Sequence, residues 1–389
     1  MKIFVLLSRF PYPLEKGDKL RAYNQIKYLS ENHEIHLCAL NDATLSKNHL
    51  DALKPFCKSI NIIKLTKAGS GWNIIRAFFN GNPLQVGYFF SSSGKSKIQQ
   101  LILEIKPDHI FCQLVRVTEY VKDLKIPKTL DYQDVFSKGV ERRIGNSPWY
   151  KKFVLKMEYK RLLNYERDIF SFFNNKTIIS EPDRELIPHP DRNKIEIVIN
   201  GVDVDFFKPV EIKKEYDLVF IGNMGYPPNI NAAKYLAEKV MPLVHEKLPE
   251  ATLTLAGATP HPDVVALETE KIKVTGWMDD IRESYAKAKI FIAPMQIGTG
   301  LQNKLLEAMA MKIPCITSGL ANKALEAIPE KEILVGDTPE EFAEHIFRLL
   351  KDKQLSETLS ENAYKLVHSK YNWDGATKKL EQLIINTKA

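Results

Sequence analysis

Cysteine is scarce in this 389-residue sequence, and where it occurs it does not form a recognisable pattern. No two of its four cysteines have the spacing of a metal site, and each lies in or beside an apolar stretch: Cys38, Cys57, Cys112 and Cys315. This excludes a disulfide framework and a zinc ribbon, and it predicts reduced packing residues in a cytoplasmic protein.

Long apolar runs are also missing. No run approaches the ~20 apolar residues that a membrane span needs. The opening MKIFVLLSRFPYP has only five apolar residues before Ser8 and Arg9, which is too short for a signal peptide and predicts a first strand. A P-loop is incomplete as well: Ser93-Gly94-Lys95-Ser96 matches its end, but Phe89 stands where its first glycine is required, so we expect a polar loop that opens a helix.

Length and charge suggest two domains of different character. A chain of this length is too long for one typical core. Hydrophobic residues make up 44% and charged residues 26%, as in a soluble globular protein. Residues 1–200 hold 32 Lys and Arg against 21 Asp and Glu, whereas the remainder holds 23 against 27. The basic first half indicates attraction to anionic lipid, phosphate-bearing molecules or nucleic acid.

The most informative stretch is Lys289–Ser318, which alternates strand, glycine turn, helix and strand. Its glycine turn, Gly298-Thr299-Gly300, would lie at the carboxyl end of a buried strand, where open α/β sheets bind ligands. Lys304 and Glu307 follow three residues apart on one helical face. A cation near phosphate and a carboxylate near a sugar diol would fit a nucleotide-sugar, but a surface ion pair fits the spacing equally well.

The segment from Gly300 to Ala310, GLQNKLLEAMA, followed by Pro314, resembles the signature helix of the family-four retaining glycosyltransferases, which have the GT-B fold. Its Gly-Leu-Gln-Asn-Lys sequence is similar to that of the subgroup associated with exosortase-type exopolysaccharide systems. The resemblance implies donor contacts from Gly300, Leu301 and Lys304, and a hydrogen bond that Glu307 accepts from the ribose of the sugar donor. Relatives carry a second glutamate eight residues earlier, where this chain has Thr299, so we do not carry the family's contacts to the transferred sugar over to this chain.

Other parts of the chain extend the resemblance to the donor side. The loop Arg9–Asp18 resembles the family's first loop, beside the donor diphosphate, and implies phosphate roles for Gly17 and Arg21. Gly222 resembles the glycine that opens the second domain, but the arginine and lysine that usually follow it are absent. Charge compensation would then fall to Lys304, Arg21 and backbone N–H groups. Trp277, just past a strand end, matches the nucleobase position and fits core packing equally well.

Two smaller expectations concern the same region. Asn229 or Asn231 is expected to cap the helix after Gly222. The one Asp-x-Asp sequence, Asp203-Val204-Asp205, lies in a segment that resembles the family's linker, so we expect no metal and no cofactor beyond the nucleotide-sugar co-substrate.

On the acceptor side, Asp131-Tyr132-Gln133-Asp134 follows a predicted strand and resembles the acidic wall of the family's cleft. Asp134 is the candidate catalytic residue, because a carboxylate facing the acceptor hydroxyl can remove or orient its proton. Asp131 is expected to be structural.

The segment Lys138–Arg167 holds nine Lys or Arg against three Glu, with interleaved aromatic residues. Such a basic, amphipathic composition is typical of a helix at an anionic membrane surface. A helical hairpin that merely lines the first domain is the alternative.

Together these patterns predict an α/β protein with the GT-B fold, in which two Rossmann-like domains face a cleft. Residues 1–204 would form an acceptor-binding domain, 205–370 a nucleotide-sugar-binding domain, and 371–389 a helix that packs back toward the first domain. The implied function is transfer of a sugar from a nucleotide-diphosphate sugar to a hydroxyl acceptor, with retention, in exopolysaccharide or lipid-linked glycan assembly. The enzyme would be cytoplasmic and could contact an anionic membrane. A nucleotide-sugar epimerase and a non-catalytic scaffold remain alternatives, whereas no recognisable nucleic-acid module is present.

Overall fold

The computed structural model describes residues 1–14, 16–145, 147–297 and 300–387. Its contacts divide the chain into two units. The first comprises Met1–Ile199 together with the chain from Ala376 onward, and the second comprises Asn200–Gly375. The change of unit at 199/200 falls five residues before the boundary expected from the sequence.

The first unit is built on a parallel sheet of seven strands in the order β3-β2-β1-β4-β5-β6-β7. The strands are β1 (Lys2–Leu7), β2 (Glu34–Asn41), β3 (Ser59–Lys64), β4 (His109–Gln113), β5 (Lys128–Gln133), β6 (Asn175–Ile178) and β7 (Glu196–Ile197). The α-helices are α1 (Gly17–Leu29), α2 (Lys47–Asp51), α3 (Lys67–Asn80), α4 (Leu84–Phe89), α5 (Ser92–Ile105), α6 (Phe136–Gly145), α7 (Trp149–Asp168) and α8 (Glu181–Leu186). Short 3₁₀ turns occupy Val115–Tyr120, Ile169–Phe172 and Arg192–Lys194.

Both faces of this sheet are buried, which explains why β1 reads as a continuous apolar run. Phe4 and Leu6 of β1 belong to one core cluster, and Ile3, Val5 and Leu7 to the cluster on the opposite face. The last helix of the chain contributes Leu380 and Ile384 to the second cluster.

The second unit repeats the plan with a six-stranded parallel sheet in the order β10-β9-β8-β11-β12-β13. Its strands are β8 (Tyr216–Ile221), β9 (Leu253–Ala256), β10 (Ile272–Gly276), β11 (Ala288–Ala293), β12 (Cys315–Thr317) and β13 (Leu334–Val335). Its helices are α9 (Pro227–Tyr235), α10 (Met241–Lys247), α11 (Pro262–Val265), α12 (Ile281–Ala286), α13 (Asn303–Ala310), α14 (Gly319–Leu325), α15 (Pro339–Lys351) and α16 (Lys353–Lys370), with a π-helical turn at Leu236–Val240. The final helix, α17 (Trp373–Ile385), begins in this unit and continues into the first.

Both sheets have the Rossmann strand order, in which the chain starts at a central strand, moves to one edge and then crosses to the other side. The direction therefore reverses between β1 and β4 in the first unit and between β8 and β11 in the second. Ligands of open α/β sheets bind at the carboxyl ends of the strands that flank such a reversal. The predicted pair of Rossmann-like domains is confirmed.

Candidate functional site

Beside the reversal point of the second unit, the loops after β8 and β9 approach each other very closely. Gly257, after β9, has φ +135° and passes so close to Gly222 that an added Cβ would lie 1.9 Å from the Gly222 carbonyl oxygen. An added Cβ on Gly222 would in turn lie 2.6 Å from Asn229 Nδ2 and 3.1 Å from Lys304 Nζ. Both glycines are required here because any side chain would displace the polar groups that gather above the strand ends.

Asn229 connects the β8 loop to the helix that carries Lys304. Its amide nitrogen donates to the Asn223 carbonyl oxygen at 2.9 Å, and its Oδ1 accepts from Lys304 Nζ at 2.6 Å. The expectation that Asn229 or Asn231 caps α9 is wrong, because Tyr226 occupies the cap position and no side chain bonds there. Asn229 is instead a member of the site, and nothing in its local sequence indicated the contact with Lys304, 75 positions away.

Lys304 lies in the first turn of α13, with its ammonium group 4.6 Å from the centre of the Phe220 ring. Burial lowers the pKa of Lys304 to about 7, and the nearby negative charge of Glu307 only partly opposes this. A lysine at this pKa readily changes its protonation state when an anion arrives.

Glu307, one turn further along α13, is oriented by Tyr285. The Tyr285 hydroxyl donates to Glu307 Oε2 at 2.7 Å, and Glu307 Oε1 accepts no hydrogen bond within the described part of the chain. Burial raises the pKa of Glu307, while the bond from Tyr285 and the charge of Lys304 act in the opposite direction. The side chain thus presents one oxygen that can accept from a hydroxyl-bearing ligand.

These residues form a compact polar site at the strand ends of the second unit. Lys304 supplies positive charge, and Glu307 supplies an acceptor one helical turn away. The arrangement can hold a ligand with a phosphate group at one end and a diol at the other. Of the predicted donor residues, the structure brings Lys304, Glu307 and Gly222 together. It adds Asn229 and Tyr285, which the sequence did not indicate because their partners are distant in the chain.

Three other predicted donor residues lie in the same unit. Trp277 follows β10 and leaves 68% of its surface exposed, so its indole is available to stack with a ligand. Gly300 is exposed and Leu301 partly buried, just before α13. Thr299, expected to alter the sugar contacts, and Gly298 lie outside the described residues.

In the first unit, the structure corrects the role expected of Arg21. Its side chain is fully buried, and its Nε and Nη2 donate to the two carboxylate oxygens of Asp131 at 2.6 and 3.1 Å. Thr177 Oγ1 also donates to Asp131, at 2.9 Å. Arg21 therefore links α1 to β5 and is not the exposed phosphate ligand that the sequence suggested. Asp131 has a structural contact, and Gly17 begins α1 at an exposed position.

Asp134 lies on the surface just past β5, where the preceding Gln133 has a left-handed φ of +62°. Its Oδ1 accepts from the backbone N–H of Val135 at 2.8 Å. Two buried carboxyls lie near it. Burial raises the pKa of Glu166 to about 7 and that of Asp183 to about 6, and the Asp134 charge adds to both shifts. Asp134 is thus the solvent-facing member of an acidic group at the carboxyl edge of this sheet.

Within the described ranges, no group of three or more His, Cys, Asp or Glu side chains is arranged to hold a metal ion. Within the same ranges, no helix is both long and apolar enough to cross a bilayer. The segment Lys138–Arg167 forms most of α6 and α7, and three aromatic residues near the start of α7 are exposed: Trp149, Tyr150 and Phe153.

Most of the second unit is similar to a known protein family. Residues 215–352 match the family described as glycosyl transferases group 1. An uncharacterized 44.6 kDa protein in the cps region of Klebsiella pneumoniae is 24% identical over 95% of this chain and 96% of its own length.

Solved structures are similar to this chain over nearly its whole length. The sucrose-phosphate synthase of Thermosynechococcus elongatus aligns with a TM-score of 0.70 at 15% identity, covering 98% of both chains. The Anabaena protein HepE, in complex with UDP-glucose, aligns with a TM-score of 0.70 at 12% identity, covering 99% of this chain and 100% of its own. At these identities the likeness establishes the fold.

Proposed function

We propose that the chain is a glycosyltransferase of group 1, and that it transfers a sugar from a nucleotide-diphosphate sugar to a hydroxyl acceptor with retention of configuration. The family match over residues 215–352 supports this proposal. The observation that carries the donor assignment is the geometry at the reversal point of the second sheet. There Lys304, held by Asn229, lies one turn from Glu307, which Tyr285 orients. The complex of HepE with UDP-glucose supports the same class of donor.

In this proposal Lys304 binds the diphosphate as a point charge, assisted by backbone N–H groups before α13. Glu307 accepts from the ribose through Oε1, its oxygen without a partner in the described structure, while Tyr285 fixes the rotamer through Oε2. Gly222 leaves the space in which the diphosphate approaches the strand ends. Trp277 offers an exposed face to the base. Retention rests on the family resemblance, in which the donor phosphate acts as the base.

Asp134 would orient the acceptor hydroxyl, because it is exposed at the carboxyl edge of the first unit's sheet. The relative in a cps region supports polysaccharide assembly as the setting. We further propose that the enzyme works at the cytoplasmic face of a membrane, which it contacts through the basic and aromatic α7. No metal and no additional cofactor enter this proposal.

The deciding experiment is incubation of the purified chain with labelled nucleotide-sugars and a lipid extract. Label appearing in a glycan or glycolipid product supports transfer, and analysis of the new linkage tests retention. Isomerised nucleotide-sugar without transfer would instead identify an epimerase. If tight donor binding occurs without any turnover across a panel of donors and acceptors, a scaffold role would replace the enzymatic one.

A further inference from the structure

Helices α3 and α4 follow β3 and are hydrogen-bonded to α7. Gly87 of α4 packs so tightly on α3 that an added Cβ would lie 2.4 Å from the Ala77 Cβ. The Glu158 carboxylate of α7 accepts from the backbone N–H of Leu84 at 2.7 Å. Arg161 of α7 donates to the Ala77 carbonyl oxygen at 3.1 Å. A cavity of about 170 Å³ lies between α3 and α4.

The cavity opens to solvent and is lined by exposed polar side chains that other described protein groups do not occupy. Arg76, Asn80 and Asn82 line it, and within the described chain none of their side chains makes a hydrogen bond or an ion pair. Asn73, also in the lining, uses its amide nitrogen to donate to the Phe90 carbonyl oxygen at 2.6 Å. A guanidinium and two carboxamides around one small space offer several N–H donors to a single ligand, as an oxyanion requires.

The one acidic residue in the described lining is already compensated. Glu119 Oε1 accepts from Lys122 Nζ at 2.7 Å and from the Tyr165 hydroxyl at 2.8 Å. The unpaired charge in the cavity is therefore the positive charge of Arg76.

The outer face of the same helix is apolar and exposed. Trp72, Ile75 and Phe79 follow the i, i+3, i+7 spacing of one helical face and expose 69%, 50% and 80% of their surfaces. Arg76 and Asn80 each follow a member of this face by one residue, so the cavity and the apolar face are adjacent on α3. Exposed aromatic residues beside cations are characteristic of helices that lie in a membrane interface.

Helix α7 carries a second surface of similar composition. Trp149 and Phe153 are exposed one turn apart, and Lys156 and Lys160 continue the same stripe. The two helices are thus joined by Arg161 and carry the same combination of aromatic side chains and positive charge.

We propose that the cavity between α3 and α4 binds the phosphate group of an anionic lipid while the apolar face of α3 enters the interface. Arg76 supplies the charge, and Asn80 and Asn82 supply neutral donors. This deepens the membrane part of the proposed function. All of its residues belong to the first unit, whereas the donor residues belong to the second, so the two can be tested separately.

The test is sedimentation with phosphatidylcholine vesicles that contain or lack phosphatidylglycerol. The sharpest variant is the double substitution Asn80→Ala and Asn82→Ala, which changes no charge. We expect a loss of about fivefold or more in affinity for the anionic vesicles, because each neutral hydrogen bond contributes modestly. Arg76→Gln should weaken binding by about tenfold or more, whereas Lys67→Gln, on the same helix but outside the cavity lining, should weaken it by no more than about fivefold.

Each outcome bears on the proposal. Wild-type binding by the double variant, or equal losses in the Arg76 and Lys67 variants, would reduce the contact to general electrostatic attraction and overturn the site. Glycerol phosphate that binds as tightly as vesicles in an Arg76-dependent way would overturn the lipid source and leave a soluble phosphate ligand. Thermal melting checks that each variant is folded. Titration with a nucleotide-diphosphate sugar should be unchanged in all of them, so a failure of the donor assignment would be seen independently.

Discussion

Donor binding should draw a proton onto Lys304 when the pH is above about 7. Burial lowers the pKa of Lys304 to about 7 in the free protein, because it disfavours the charged form. A diphosphate beside the amine favours that charged form and returns its pKa toward the ordinary value of about 10.4. Above about pH 7 the free protein therefore lacks a proton that the complex holds.

The magnitude follows from linkage. Each pH unit between the free and bound pKa values lowers donor affinity by as much as about tenfold, or about 1.4 kcal/mol. From about pH 7 to about pH 9 the expected fall is at most about a hundredfold. A nucleotide-diphosphate sugar is the right ligand, because its diester-like diphosphate does not itself titrate in this range.

The assay is calorimetric titration at about pH 8.5 in two buffers of different ionisation enthalpy, since the observed enthalpy then reports proton uptake. Uptake should approach one proton in the wild type and vanish in Lys304→Gln. Affinity that is flat with pH, together with enthalpies that do not depend on the buffer, would refute the assignment of Lys304 to the diphosphate.

The lowered pKa of Lys304 also affects the stability of the free protein, which should rise with pH where donor affinity falls. The unfolded chain holds the Lys304 proton up to about pH 10.4, whereas the folded chain releases it near pH 7. The unfolded state thus binds more protons in that window, so the free energy of unfolding should rise with pH there and the contribution should be lost as pH falls to about 7. Thermal melting of the wild type against Lys304→Gln across this range measures it.

Three further predictions concern other residues. Glu307→Ala should weaken donor binding by about 1.5–3 kcal/mol. Tyr285→Phe should weaken it by less, because this change frees the Glu307 rotamer without removing the acceptor. Equal calorimetric affinity in the wild type and a folded Glu307→Ala variant would refute the ribose contact. Asp134→Asn should slow transfer by about 10²–10⁴-fold, with donor binding and melting temperature unchanged. Asp131→Asn should instead lower the free energy of unfolding by about 3–5 kcal/mol, measured with denaturant, because it leaves Arg21 buried without a countercharge. Binding of the protein to anionic vesicles should fade as salt rises toward 1 M, where the Debye length is about 3 Å; binding to neutral vesicles that salt leaves intact would point to hydrophobic insertion alone.

The fold could be predicted because its signals are local. β1 and β11 are short apolar runs, each followed by a break in the pattern, and parallel strands buried on both faces produce that pattern wherever they occur. The spacing of Lys304 and Glu307 is equally local, since three residues on one helix settle their shared face. The sequence could therefore identify both the sheet and two residues of its site.

What the sequence could not supply are the contacts between distant elements. The sequence predicted a phosphate role for Arg21, but its partner Asp131 lies 110 positions away on β5. Asn229 and Tyr285 contact Lys304 and Glu307 across 75 and 22 positions. Such pairs can be predicted only when the strand order is known. In the second unit, for example, the crossover of the sheet brings β8 beside β11.

With Arg21 occupied by Asp131, Lys304 gains importance in the proposed mechanism. The Asn223–Asn229 segment after Gly222 contains no cation, so among the described residues of the second unit's site Lys304 is the side chain that can neutralise the diphosphate. Asn229 holds its amine in place, and burial keeps it poised near neutral pH. An amine that takes up a proton as the donor binds stabilises the complex more than the free enzyme, because the same charge is costly to bury when no phosphate is present. Discrimination in favour of diphosphate ligands over nucleosides should accordingly depend on this one lysine more than in relatives that carry an arginine and lysine after the glycine.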